Sequence, residues 1–270
     1  MNGPLILVTG STDGIGKATA RELAGRGAQV ILHGRDPDKG EKVLKELKNL
    51  TWNKNLSLLI ADLSVKENIL RLADEVMSGY GRLDVLVNNA GVYEKTRKIT
   101  PDGMEMTFGV NYFAPFLLTR ELLPLLKKSA PSRIVNVASA AHRDVRRIDW
   151  ENVLGEKHYD PFEAYALSKF ADITLTYSLA ESLHKAGVAV NCLHPGTVAT
   201  KMLRAEFPGI RGIPPAEGAK TSVYLAISPE IAAVSGKYFE ESREPGRSSA
   251  LTYDRTVQKR LWEEAEKRVV

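Results

Sequence analysis

The chain has 270 residues, a formal net charge of +4, 43% hydrophobic and 26% charged side chains. These values are ordinary for a soluble globular protein that can bury a core without staples. A single cysteine, Cys192, excludes an internal disulfide and fits a reducing compartment. Basic and acidic residues interleave in "DPDKGEKVLKELKN" and "RLWEEAEKR", which reads as solvated helix faces and argues against nucleic acid as a partner. No apolar run is long enough for a membrane span. The opening "MNGPLILVTG" is too short for a signal peptide, so a cytoplasmic protein is expected.

Apolar runs then alternate with amphipathic ones. "LILVT" (5–9) predicts a buried strand, and "GKATARELAGRG" a helix closed by Gly27. "AQVILHG" (28–34) is the second strand. A helix follows, with Asp36 as its N-cap and Pro37 at its first position. "LSLLIADL" (56–63), "LDVLVNN" (83–89), "RIVNVAS" (133–139) and "VAVNCLHPG" (188–196) are further strands, and "SGKYFE" (235–240) a seventh. Helices are expected over 64–79, roughly 102–128, and about 161–185. Near the C-terminus, Val257, Leu261, Trp262, Ala265 and Val269 fall at helical spacing, which predicts a docked helix over about 254–268.

Strands rich in Val, Ile and Leu, each followed by a helix, predict an α/β fold. It is a single doubly wound Rossmann fold over 1–270, with about seven parallel strands and helices on both faces. No linker or short repeat interrupts it.

Between the first strand and first helix lies "VTGSTDGIGKA", with Gly10, Gly14 and Gly16. Glycines let a chain turn sharply and approach a ligand, and the free N–H groups of the next helix favour a pyrophosphate. The strand before and helix after are the context that makes such a triplet a nucleotide-binding signal. Further on, "AYALSKF" places Tyr165 and Lys169 four residues apart, on one helix face. An ammonium beside a phenol favours the phenolate, bringing a tyrosine toward the pH range where acid–base catalysis is efficient. Taken singly, a Tyr/Lys pair reads as a solvated surface, a strand-end serine as a turn cap and a helical asparagine as incidental.

With the spacing G-x-x-x-G-x-G, the chain resembles the short-chain dehydrogenase/reductase family. The resemblance also rests on "NNAG" (88–91), Asn111 in "FGVNYFAP", Ser139, Tyr165-Ala-Leu-Ser-Lys169, and "HPG" (194–196) with Thr200. The match spans residue 5 to about 240. It implies hydride transfer between a nicotinamide cofactor and a carbonyl or carbinol carbon. Tyr165 would be the acid/base and Ser139 would hydrogen-bond the same oxygen. The resemblance further implies that Lys169 holds the nicotinamide ribose and that Asn111 anchors a relay water. It places the cofactor against Gly10, Ser11, Thr12, Gly14, Ile15, Gly16, Arg35, Asp62, Leu63, Asn89, Ala90, Gly91, Tyr165, Lys169, Pro195, Gly196, Val198 and Thr200. Of these, Asp62 would meet the adenine, while Val198 and Thr200 would meet the carboxamide.

The second strand ends in His33, Gly34 and Arg35 where a carboxylate would repel a 2′-phosphate. NADP(H) is therefore the expected preference. Two features leave NAD(H) open. Arg35 could pair with Asp36, Asp38 or Glu41 instead, and Asp13 stands where many NADP(H)-preferring relatives carry a basic residue.

The long 139–165 segment, "CLHPGTVATKM", "HGRDPDKGEKV" and the "RLWEEAE" tail resemble the retinol dehydrogenase-like branch. A hydrophobic carbonyl or alcohol substrate is implied, in a pocket walled by Tyr93, Ala141, Met202, Leu203 and Phe207. The substrate loops are placed at about 140–160 and 197–215. The chain lacks the hydrophobic N-terminal anchor of membrane-bound relatives, which favours a soluble carbonyl reductase of broad scope. His142, His158 and His194 have no metal-ligand spacing, so no metal is expected, and His194 is read as shaping its loop. Wide apolar faces on the helices at 102–128 and 161–185 suggest a homodimer or tetramer. The competing reading is a catalytically silent NADP(H)-binding redox sensor.

Overall fold

The computed structural model describes residues 3–240 and 244–269. Seven strands run parallel: β1 (Leu5–Val8), β2 (Gln29–Gly34), β3 (Leu56–Ile60), β4 (Val85–Asn88), β5 (Ser132–Val137), β6 (Val188–Leu193) and β7 (Lys237–Phe239). A two-residue strand, β8 (Pro245–Gly246), pairs antiparallel to β7. The sheet order is β3-β2-β1-β4-β5-β6-β7-β8. The doubly wound plan is therefore as expected, with β8 added to the seven strands read from the sequence.

Alternation of side chains along each strand explains the two cores. Leu5 and Leu7 point to one face with Leu86, Ile134 and Val190. Ile6 and Val8 point to the other with Val30, Leu32, Val87 and Val135. The first face is covered by α3 (Lys66–Gly79), α5 (Ala114–Lys128), α6 (Pro161–Leu183) and α9 (Arg255–Glu266). The second is covered by α1 (Gly14–Gly25), α2 (Pro37–Thr51) and α8 (Pro215–Ile227). Helix α8, which packs on α1, has no counterpart among the helices expected from the sequence. Short helices α4 (Met106–Phe108) and α7 (Lys201–Glu206) complete the set.

Local chemistry sets the boundaries. Asp36 caps α2 by accepting from the Lys39 amide at 3.0 Å, and Asp160 caps α6 through the Glu163 amide at 2.8 Å. The helix expected from about 102 begins at Met106 instead. Residues before it fold back, with Thr100 N–H bonding Met104 C=O at 2.7 Å and Met106 N–H bonding Lys98 C=O at 2.9 Å. Glu105 then caps the helix, its carboxylate accepting from the Thr107 and Phe108 amides. Helix α9 buries Leu261 and Ala265, and Trp262 meets Phe116 edge-on at 4.8 Å. Among the described residues, no helix is long and apolar enough to cross a membrane.

Candidate active site

The strand order reverses between β1 and β4, and the crevice at the carboxyl ends of such strands is where open α/β sheets bind ligands. The glycine turn lies there. Gly10 and Gly14 have φ of 63° and 51°, conformations that side-chain-bearing residues rarely adopt. A Cβ on Gly10 would lie 2.8 Å from Ala90 Cα, and one on Gly16 would lie 2.3 Å from the Gly10 carbonyl oxygen. The turn is thus pressed against the "NNAG" segment. Asn89 Nδ2 donates to the Thr9 carbonyl at 2.8 Å, and Thr9 Oγ1 accepts from the Asn89 and Ala90 amides at 2.9 and 3.0 Å.

His33 locks the other side of the turn. Its Nδ1 accepts from the Gly10 amide at 3.1 Å, which leaves Nε2 to donate to the Ala61 carbonyl, also at 3.1 Å. Burial pushes its pKa down to about 4, against the pull of the Ala61 carbonyl and Asp62. Ser11 bonds the same strand end, donating its amide to the His33 carbonyl at 2.9 Å. Thr12 packs on Gly34, whose Cβ would sit 2.5 Å from the Thr12 methyl. Asp62 accepts from the Ser64 amide and hydroxyl, and Leu63 is buried beside it. Asp13 N-caps α1 and meets two cations, Lys39 Nζ at 2.7 Å and Lys201 Nζ at 3.2 Å. Burial would raise its pKa, but these lysines and the Gly14 amide prevail and hold it at about 2. Arg35 is exposed and makes no ion pair among the described residues.

Four sequence-predicted residues gather beyond the turn. Asn111 sits fully buried in a π-helical turn, Gly109–Phe113, between α4 and α5. Such turns are rare and concentrate at functional sites. Its Oδ1 accepts from the Val92 amide at 2.7 Å, while Nδ2 donates to the Val92 carbonyl at 2.9 Å and Ser168 Oγ at 3.0 Å. Ser168 Oγ donates in turn to the Tyr165 carbonyl at 2.7 Å. Asn111 is therefore a clamp between the β4 loop and α6. Both amide hydrogens are committed.

Lys169, one turn below Tyr165, is buried, and its ammonium donates to the Val137 carbonyl and to Asp172 Oδ2, each at 2.9 Å. Burial works to lower its pKa; the Asp172 carboxylate and Tyr165 outweigh that and raise it. A Cβ on Gly91 would lie 3.4 Å from Asn111 Oδ1 and 3.7 Å from Lys169 Nζ, so β4 and α6 converge there. Ser139 lies two residues past the end of β5. Its Oγ accepts from the Ala141 amide at 3.2 Å, so the turn-capping role is real and still leaves the hydroxyl hydrogen to donate. The Tyr165 phenol, half-buried, makes no hydrogen bond among the described residues.

The remaining loops close around this cluster. Pro195 and Gly196 turn the chain out of β6, with Gly196 at φ 82°. Val198 is buried against α8, where a Cβ on Gly218 would reach its methyl at 2.4 Å. Thr200 caps α7 through the Leu203 amide at 3.1 Å, and its methyl lies 3.2 Å from where a Gly14 Cβ would be. The loop after β6 thus approaches the glycine turn. Ile15 follows Gly14 in the first turn of α1. Of the expected pocket walls, Tyr93 packs on both Tyr165 (centroids 5.5 Å apart) and Phe207 (5.4 Å), and Lys95 Nζ donates to the Ala205 carbonyl to tether α7. Met202 and Leu203 lie on α7, and Ala141 follows Ser139. A separate cavity of about 530 Å³ lies under the 144–160 loop, lined by Glu105, Arg146, Leu154, Tyr159 and Leu167, and contains none of the four clustered residues.

No spacing in the sequence points to the bracing roles of His33 and His142. His33 braces the glycine turn. His142 donates from Nδ1 to the Ser139 carbonyl at 2.7 Å and accepts at Nε2 from the Ser249 amide at 3.1 Å. His194 accepts from the Ala140 amide at 3.1 Å, a loop-shaping role as expected. No sequence motif marks Asp172; its i+3 spacing from Lys169 is the signal the chain offers.

A tyrosine, a buried lysine and a strand-end serine thus lie toward the carboxyl ends of the central strands of a doubly wound sheet. The family model for short chain dehydrogenases matches residues 4–210. Human Retinol dehydrogenase 11 is 41% identical over 271 residues, covering 97% of this chain and 84% of its own length. Mouse Retinol dehydrogenase 13 is 41% identical over 278 residues, covering 97% and 83%. Among solved structures, a short chain dehydrogenase from Escherichia coli CFT073 complexed with NADPH superposes with a TM-score of 0.76 at 30% identity, over 90% of this chain and 98% of that one. The Pseudomonas aeruginosa RhlG/NADP active-site complex gives 0.73 at 28%, over 89% and 95%. The chain belongs to the short-chain dehydrogenase family and is an oxidoreductase acting on CH–OH groups.

Proposed function

We propose that the whole chain forms one catalytic domain that interconverts an aldehyde or ketone and an alcohol on a hydrophobic small molecule, with NADP(H) as the preferred cofactor. The convergence of Asn111 and Lys169 about Gly91, with Tyr165 tied to Asn111 through Ser168 and Ser139 past the end of β5, carries this reading.

The residues suit a dinucleotide. Gly91 keeps the approach to the Lys169 ammonium open, and one of the three ammonium hydrogens remains for a ribose hydroxyl. The glycine turn and the first turn of α1 would hold the pyrophosphate. Arg35 is not consumed by Asp36, Asp38 or Glu41, and Asp13 is neutralised by two lysines, so neither feature opposes a 2′-phosphate. Solved relatives carrying NADP and NADPH support the same preference. When bound, the nicotinamide supplies or accepts the hydride.

The chain's residues handle the proton. In reduction, Tyr165 donates to the substrate oxygen; in oxidation it takes that proton back. Ser139 donates a hydrogen bond to the same oxygen and stabilises charge that develops on it. Because the Asn111 amide hydrogens are committed, a relay water would rest on its main-chain carbonyl or its remaining Oδ1 lone pair. Tyr93 and Phe207 offer an apolar wall beside Tyr165, which suits a greasy substrate. The retinol dehydrogenase relatives point to the same class of compound.

The test is NADPH consumption against a panel of aldehydes and ketones of increasing chain length. Turnover that rises with hydrophobicity is expected. Tight cofactor binding without turnover on any compound would favour the redox sensor.

A further inference from the structure

The mechanism above leaves the buried charge of Asp172 unused. Asp172 follows Lys169 by three residues on α6, is 2% exposed, and holds the ammonium at 2.9 Å through Oδ2. Its other oxygen, Oδ1, is buried and has no hydrogen-bond partner. A buried ion pair with an unsatisfied oxygen is a costly way to fill a core, where an apolar side chain is often neutral or stabilising. Packing alone therefore does not account for a carboxylate here.

The charges around it are few. From its own helix, Asp172 faces Lys169, which also senses Tyr165. The π turn contributes the Tyr112 phenol and β6 the Cys192 thiol, and burial pushes both upward, keeping them neutral. Glu264 and Glu266 of α9 act on Tyr112 from beyond. Thr176 Oγ1 donates to the Asp172 main-chain carbonyl and leaves the carboxylate alone. Among the described residues, the ammonium is thus the one cation that Asp172 answers.

Resting on the function proposed above, we propose that Asp172 is a positioning residue for the reaction. It fixes the Lys169 ammonium under the end of β5 and keeps that amine charged beside Tyr165 despite its burial. Burial pushes the Asp172 carboxyl up to about 6, against the opposing effect of Lys169, so above that pH it is ionised and faces the ammonium. Without the carboxylate, burial acts on the amine with only Tyr165 opposing it, and the lysine pKa falls.

The sign of the test follows. Carbonyl reduction needs both the phenol and the Lys169 ammonium protonated, so its rate falls on an alkaline limb. Asp172→Asn removes the negative charge at nearly constant shape, lets burial lower the lysine pKa and should move that limb about one unit toward acid. Asp172→Glu keeps the charge and should leave the limb near its original place, even if the rate falls. Should Asp172→Asn not fold, Asp172→Ser supplies the second neutral variant.

The profiles are measured with NADPH and the fastest aldehyde of the panel, next to Tyr165→Phe and thermal unfolding of each protein. An acid-shifted limb in the neutral variants alone supports the inference. Limbs that superimpose while melting temperatures fall would make Asp172 structural only, leaving the functional reading intact. Full turnover by Tyr165→Phe, or no turnover of any panel compound, would remove that reading and this inference with it. Both of those failures appear in proteins whose Asp172 is untouched.

Discussion

Around the glycine turn, backbone touches backbone; around α7, side chains meet across an open cleft. Gly10, Gly16 and Gly34 leave no room for a Cβ, and His33, Thr9 and Asn89 stitch the turn to β2 and β4. Helix α7 has no buried residue and is held by Lys95, the Thr200 cap and the Tyr93–Phe207 contact. The difference suits the proposed division of labour. A cofactor half built from main chain presents one fixed shape, while a substrate half built from exchangeable apolar side chains can vary its occupant without disturbing the proton site.

The sharpest way to probe that division is at the border between the halves. Tyr165→Phe removes only the hydroxyl, so kcat should fall about a thousandfold. NADPH affinity, followed by its fluorescence, should stay the same because the main-chain cradle is intact. Loss of cofactor binding instead would mean that the two halves are not separable.

Acid should strike the histidines that brace both halves. The folded protein holds His33 neutral with a pKa of about 4, whereas the unfolded chain protonates it near its ordinary 6.5. The unfolded state therefore binds the extra proton between those values, and stability drops as pH falls through that window. From pH 7 to pH 5 the expected loss from His33 is about 2 kcal/mol. Urea unfolding at the two values measures it, and His33→Gln should shrink the difference by about that amount, leaving the share of His194, which burial also holds at about 4.

Smaller effects follow at the two ends of the cleft. Arg35→Ala should weaken NADPH about tenfold and NADH hardly at all. Equal losses would remove the 2′-phosphate role. Phe207→Ala should raise KM a few-fold for long-chain carbonyls and leave short ones unchanged, since it deletes apolar contact and nothing polar. A fall in kcat instead would tie α7 to the chemistry.

The cofactor half was largely readable in the sequence, because glycines forced by close packing leave a spaced pattern. The proton site was readable only as a conjunction of Asn111, Ser139, Tyr165 and Lys169, none of them decisive alone. Other features carry no periodic signal. Strand β8 has two residues, too few to alternate. Helix α8 packs small residues such as Ala219 and Ser222 against both α1 and the sheet, which blurs the contrast between its faces. The π turn at Asn111 and the neutral bracing histidines depend on neighbours far away in the chain. Asp172 reads from the sequence as one more acidic residue on a helix; only its burial makes it unusual.

The central claim is that the Tyr165 phenol exchanges a proton with the substrate oxygen. A crystal structure with NADP and a hydrophobic ketone inhibitor tests it most directly. The phenol oxygen should lie about 2.6–3.2 Å from the ketone oxygen, with Ser139 Oγ on the same atom. A ketone bound elsewhere, in the cavity under the 144–160 loop for example, with Tyr165 facing water, would contradict the account.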